Sequence, residues 1–216
     1  MTDLVALTSS DAPLMGAHPS PERAEPHEYL AIFLHGYGSD ERDLAALSEY
    51  LPVGLPWVSL RAPMRHPSFG YSWYPLEADF SPAPAIASAT QTVWQWVDAN
   101  VPEQSFLVPI GFSQGAMMAS QLLRTRPERI GATVALSGYV SDAPQPADAV
   151  LEQARPRVFW GRGDQDPVIS HTEVVAAGEW FEAHTALEKH VYAGMGHSVS
   201  EAELADIRQF LARTLG

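Results

Sequence analysis

The segment Gly111-Phe112-Ser113-Gln114-Gly115 is the strongest chemical signal in the chain. A serine flanked at two-residue spacing by glycines fits a sharp turn between a strand and a helix, where a Cβ on either side would block the close backbone approach. Such a turn lifts the Ser113 hydroxyl above the sheet edge as a nucleophile. It also aims the main-chain N–H of Gln114, at a helix start, toward a developing oxyanion. Ser137, in Ala135-Leu136-Ser137-Gly138, lacks the preceding glycine and reads as a turn residue. A serine needs a base within hydrogen-bond reach, and the base needs an orienter. When a serine tops a strand in this way, both follow it in chain order, carboxylate first.

Two aspartates compete for the carboxylate, in Gly161-Arg162-Gly163-Asp164-Gln165-Asp166-Pro167. Asp166 is preferred, because the chain turns away at Pro167-Val168 and leaves its side chain facing across the sheet edge. Asp164 reads as a carboxylate that accepts local main-chain N–H bonds. Four histidines follow: His171, His184, His190 and His197. His190 falls inside a strand pattern, and His171 and His184 at or in a helix. Only His197 sits on a flexible turn after a strand, Gly194-Met195-Gly196-His197-Ser198. An imidazole base must be neutral to take a proton, so acidification is expected to silence the reaction.

A second oxyanion donor should come from the loop after an early strand. Leu34-His35-Gly36-Tyr37-Gly38 supplies one, with the Tyr37 N–H facing the oxyanion and His35 bracing the loop. A Gly-rich loop could instead cradle phosphate, but neither G-x-x-x-x-G-K-[ST] nor G-x-G-x-x-G occurs. Met64, Trp73, Tyr74 and Met195 are apolar residues on or beside these loops and are expected, with Tyr37, at the substrate pocket.

These loops need a scaffold. Residues 29–34, 57–60, 106–110, 133–136, 157–160 and 188–192 are short, mainly apolar runs that read as strands, several of them buried on both faces. Helical spacing recurs over residues 40–51, 85–99, 114–124, 172–184 and 201–215. A polar, Pro-containing loop is expected between residues 136 and 157. Alternation of this kind implies an α/β domain, a mostly parallel sheet with helices on both faces, with chemistry at the carboxyl ends of the strands. Residues 1–27 carry four prolines and read as an extended segment or edge hairpin of the same domain, which spans 1–216. The loop over 61–84 is long enough for a partial lid, with no room for a separate cap domain.

With 216 residues, 46% of them hydrophobic, the chain can build a sizeable core. Its 13 basic and 26 acidic residues give a formal charge of −13, which argues against nucleic acid and against polybasic membrane attachment. It has no cysteine, so no disulfide, thiolate zinc site or cysteine nucleophile. The start of the chain lacks a basic-then-apolar signal, and no run approaches the roughly 18 residues of a membrane span, so a cytoplasmic protein without stable membrane anchoring is expected.

Residues 34–40 (LHGYGSD), Arg61-Ala62-Pro63, Trp73-Tyr74, Gly111 to Gly115, Gly163 to Val168 and Gly196-His197-Ser198 together resemble, in order, the phospholipase/carboxylesterase family of α/β-hydrolases. This group includes acyl-protein thioesterases and small bacterial carboxylesterases. The resemblance covers about residues 28–213. It implies Ser113 as nucleophile, Asp166 as orienter and His197 as base. It also implies an oxyanion hole from the Tyr37 and Gln114 N–H groups, a small-molecule ester substrate and no cofactor. Relatives are often dimers, which leaves a homodimer open. Many relatives have Leu at the place of Tyr37, and Phe-Asp at that of Tyr74-Pro75. Dienelactone hydrolases share the fold but use a cysteine that this chain lacks. Ester hydrolysis is therefore the leading expectation. A thioesterase or lysophospholipase with the same triad is the alternative, a serine peptidase is less favoured, and a non-catalytic ligand receptor is the rival of a different class.

Overall fold

The computed structural model describes residues 4–9, 29–76 and 83–216. Its chain order runs β1 (Ala6–Thr8), β2 (Tyr29–Leu34), a 3-10 turn (Ala45–Tyr50), β3 (Trp57–Leu60), β4 (Met64–Arg65) and β5 (Tyr71–Ser72). It continues with α1 (Ala83–Asn100), β6 (Phe106–Phe112), α2 (Gln114–Thr125), β7 (Thr133–Leu136), α3 (Asp148–Ala154), β8 (Arg157–Gly163), α4 (His171–His184), β9 (Ala186–Tyr192) and α5 (Glu201–Leu215). Of the N-terminal segment, most lies outside the described residues. Its described part, β1, forms an antiparallel edge on β3.

Among the described residues the main sheet has the order β1-β3-β2-β6-β7-β8-β9 and is parallel except for β1. After β2 the chain steps outward to β3, then crosses back so that β6 lands on the other side of β2. The order reverses between β2 and β6, where loops diverge at the strand ends and leave a crevice. Register makes those ends level, with Leu34 opposite Gly111.

The strands are apolar on both sides because both faces are covered. On one face Ile32, Leu34, Val158 and Trp160 pack with Val93 and Val97 of α1, Met117 and Leu122 of α2 and Phe181 of α4. On the other, Phe33, Val108, Val134 and Phe159 pack with Ile207, Phe210 and Leu211 of α5, and with Leu44 and Leu51. Each such side chain, withdrawn from water, contributes about 1.5–3 kcal/mol before chain entropy is subtracted.

Two elements differ from the sequence expectation. The helix expected over 40–51 is a series of turns followed by one short 3-10 stretch. Asp40 turns back to accept the Arg42 N–H at 2.8 Å, and Glu41 is drawn inward to Arg61, so the first helical turn is spent on loop contacts. The expected loop between β7 and β8 contains α3, whose Asp148 pairs with the buried Arg124 through two 2.8 Å bonds.

Candidate active site

Ser113 holds φ 54° and ψ −116°, outside the helix that begins at the next residue. Left-handed φ strains a residue with a Cβ, and such strain persists only where surroundings enforce it. Here the Ser113 N–H donates to the Leu136 carbonyl at 2.9 Å, while its own carbonyl receives Ala116 and Met117 N–H groups. A Cβ on Gly115 would run into the Leu34 carbonyl, and one on Gly111 into the Gly115 carbonyl. The glycine spacing thus lets α2 start pressed against β2 and β6.

The loop after β2 meets this turn from the side. A Cβ on Gly36 would lie 3.6 Å from Ser113 Cβ. His35, fully buried, donates from Nδ1 to the Gly36 carbonyl at 2.7 Å and accepts the Ala62 N–H on Nε2 at 3.0 Å. Burial pushes its pKa down, against the Gly36 bond and the nearby Asp43, Asp40 and Glu41, so it braces the loop as a neutral ring. The β4–β5 hairpin is pinned to the same loop, Gly38 N–H to Tyr71 carbonyl at 2.8 Å and Tyr71 N–H to Ser39 carbonyl at 2.7 Å. At its base Arg61 grips Glu41 with two 2.6 Å bonds and stacks 4.7 Å over the Tyr71 ring. Among the described residues, no hydrogen bond of the fold uses the main-chain N–H of Tyr37 or Gln114. Two amide donors thus remain for a ligand oxygen.

Asp166 and His197 are brought together from the ends of β8 and β9. The Gln165 N–H donates to the Met195 carbonyl at 3.0 Å, Asp164 N–H to Tyr192 carbonyl at 3.2 Å, and Gly194 N–H to Asp164 Oδ1 at 2.7 Å. Across this stitch, His197 Nδ1 donates to Asp166 Oδ2 at 2.8 Å. The other oxygen, Oδ1, accepts the N–H groups of Val168 at 2.8 Å and Ile169 at 3.2 Å. Burial alone would raise the Asp166 carboxyl, but the bonds from His197, Val168 and Ile169 outweigh it and hold its pKa below the ordinary value. With Nδ1 donating, Nε2 carries the lone pair that can accept a proton. The imidazole lies 4.8 Å, ring to ring, from Phe112, the neighbour of Ser113. This is the set of parts that acyl transfer needs: a hydroxyl on a strained turn, an oriented imidazole and unpaired amides. Among the described residues no three His, Asp or Glu side chains are grouped as a metal would require.

The residues expected at the pocket divide. Tyr37 and Met64 are exposed, and Met195 is nearly buried within the His197 turn. Trp73 and Tyr74, by contrast, are sealed at 1% and 0% exposure. Their polar groups are consumed internally. The Trp73 indole donates to the His35 carbonyl at 2.9 Å, and the Gln114 side chain takes the Trp73 N–H and donates to the Tyr74 carbonyl, both at 2.8 Å. They back the loop that carries His35 and Tyr37. Part of the 61–84 loop, residues 77–82, lies outside the described residues.

One group went unnoticed in the sequence. Ser200 and Glu203 spell a helix-capping box, and the Ser200 hydroxyl does accept the Glu203 N–H. The Glu203 side chain does not reciprocate. It is fully buried against Gly161, with neither carboxyl oxygen hydrogen-bonded. Burial pushes its pKa from 4.5 up to about 7, with Asp206 adding to the effect and the nearby Ser200 main-chain amide, outside hydrogen-bond geometry, opposing it. Between those values the folded protein keeps a proton that the unfolded chain has released, so stability falls as pH rises through the window, by about 3 kcal/mol in all. Glu203→Gln should flatten this limb of the melting-temperature profile, read by scanning calorimetry from about pH 5 to 8. A parent profile with no decline, or an equal decline in the variant, would contradict it.

A family model described as Phospholipase/Carboxylesterase matches residues 21–215. Acyl-protein thioesterase 1 of Saccharomyces cerevisiae is 27% identical over 223 residues, covering 89% of this chain and 96% of that protein. A solved structure of esterase PE8 superposes with a TM-score of 0.72 at 27% identity, covering 98% and 99% of the two chains. The Bacillus cereus carboxylesterase has the same fold, with a TM-score of 0.76 at 17% identity and 98% and 94% coverage.

Proposed function

Since the chain belongs to the phospholipase/carboxylesterase family and is a serine hydrolase of the α/β-hydrolase fold, we propose that it hydrolyses carboxylic esters of small to medium acyl groups through an acyl-enzyme. The observation that carries this reading is the 2.8 Å bond from His197 to Asp166 beside the strained Ser113 turn. In this mechanism His197 Nε2 takes the Ser113 proton as Oγ attacks the carbonyl carbon. The tetrahedral oxyanion is held by the N–H groups of Tyr37 and Gln114. On collapse, His197 gives the proton to the departing alkoxide and the acyl group stays on Ser113. Water, activated by the same imidazole, then releases the acid.

The formal charge of −13 repels anionic substrates at long range and favours neutral esters over acyl-CoA or anionic phospholipid. A thioesterase reading is supported by the similarity to the yeast acyl-protein thioesterase. Turnover of matched oxyesters and thioesters, each over a series of acyl lengths, separates the two. A cytoplasmic location fits a chain in which no described helix is long and apolar enough to cross a membrane.

A fluorophosphonate probe reports on the nucleophile directly. One label per chain, mapped to the peptide bearing Ser113 and lost in Ser113→Ala, is expected. Labelling that persists in the variant would overturn the assignment. A folded protein that takes no label would point to a ligand receptor on this fold.

A further inference from the structure

Besides Ser113, two described residues other than glycine adopt left-handed φ, Ser137 and Arg155. Arg155 is an ordinary helix C-cap, with φ 45° and ψ 62° at the end of α3. Ser137 has no such excuse. It holds φ 45° directly after β7, at 1% exposure, where a glycine would fit the backbone without strain. What serine adds there is a hydroxyl, and its partner is informative. Ser137 Oγ donates to the Ser198 carbonyl at 3.4 Å. Ser198 is the neighbour of His197, and its own N–H closes a tight turn onto the Gly196 carbonyl at 3.0 Å. Among the described residues no other donor reaches the Ser198 carbonyl.

The rest of this strand end is tied to the nucleophile turn. The Leu136 carbonyl receives the Ser113 N–H at 2.9 Å, and the Ser137 N–H donates to the Gly161 carbonyl of β8 at 2.8 Å. A Cβ on Gly138 would lie 3.2 Å from the Ser113 carbonyl and collide with Ala116 Cβ. Residues 136–138 thus touch the Ser113 turn through the main chain and the His197 turn through one side chain. The stitch between the Asp166 and His197 loops fixes those two to each other, but it does not reference them to Ser113.

We propose that Ser137 is a positioning residue whose hydroxyl holds the Ser198 carbonyl and so sets the His197 imidazole at its working distance from Ser113. This rests on the reading of Ser113 and His197 as nucleophile and base. The left-handed backbone at 137 swings the side chain off the sheet toward the histidine turn, where an extended backbone would direct it elsewhere.

Two variants separate the hydroxyl from the backbone. Ser137→Gly removes the hydroxyl and relieves the strain, so its melting temperature should match or exceed the parent's. Ser137→Ala removes the hydroxyl and keeps the strain. If the hydroxyl positions the base, both lower kcat on an activated short-chain ester by about 10- to 100-fold, since a displacement of an ångström suffices for that. KM should stay within about twofold, because ground-state binding does not need the imidazole. The far-downfield proton resonance of the His197–Asp166 bond should persist, because that bond belongs to the separate stitch. Retention of parental kcat in either folded variant overturns the proposal. So does a kcat loss that appears only in Ser137→Ala and tracks its melting temperature, which would make general destabilisation, not the hydroxyl, the cause. Parent activity that survives Ser113→Ala overturns the triad reading itself, and this proposal with it.

Discussion

Ser113→Ala is expected to lower kcat on an activated short-chain ester by about ten-thousand- to million-fold while leaving the melting temperature at or above the parent value. The chemical part follows from the loss of the oxygen proposed to form the acyl-enzyme. What remains is the effect of bound substrate beside two amide donors and an imidazole, which still outpaces water alone. The stability part follows from the backbone. Alanine feels the left-handed φ of 54° much as serine does, and among the described residues the Ser113 side chain makes no hydrogen bond that folding would lose. Steady-state kinetics beside a thermal melt check both halves. A variant retaining a tenth or more of parental kcat would require a different nucleophile.

Asp166→Asn should cost about a thousand- to ten-thousand-fold in kcat, with KM little changed. The direction comes from how the two carboxylate oxygens are used. Oδ1 accepts two main-chain N–H groups, from Val168 and Ile169. In the variant those donors hold the amide oxygen, so the amide NH2 faces His197. An NH2 in that place needs an acceptor, and the ring must supply it at Nδ1. The imidazole proton then moves to Nε2, the atom that has to receive the Ser113 proton. The substitution is nearly isosteric yet imposes the wrong tautomer. Asp166→Ala, which imposes none, should be no worse. A pH signature accompanies it. The Asp166 pKa is depressed from its ordinary 3.8, so its bonds stabilise the fold above that value and the contribution is lost as pH falls below it. The Asn variant should lack that acid-side step. An Asn variant with near-parental kcat would remove Asp166 from the orienting role.

Much of this arrangement was legible in the sequence because each part is local. A strand buried on both faces must be apolar almost throughout, as Tyr29–Leu34 is. A glycine-bracketed serine and a Gly-Met-Gly-His turn carry their geometry in adjacent residues. The misread parts depend on distant partners. The spacing of Leu44, Leu47 and Leu51 is helical, yet Glu41 serves Arg61, 20 residues away, and the first turn never forms. The helix α3 hides among prolines because Arg124, on another helix, anchors its Asp148. Trp73 and Tyr74 look like pocket walls until the Gln114 side chain is seen to clamp both, 40 residues along the chain. Glu203 escapes notice in the sequence because its burial against Gly161 depends on a contact between α5 and β8.

The sheet order has one more consequence, in the timing of synthesis. The strands on either side of the β2–β6 junction come from successive stretches of chain, and the loops above them are completed in the order Tyr37, Ser113, Asp166, His197. A chain emerging from the ribosome therefore exposes the proposed nucleophile and its oxyanion donors well before β9 can dock and deliver the base. On the proposed triad, the growing polypeptide would be hydrolytically silent until its last parallel strand is in place, and the first ester turned over would mark a sheet already complete.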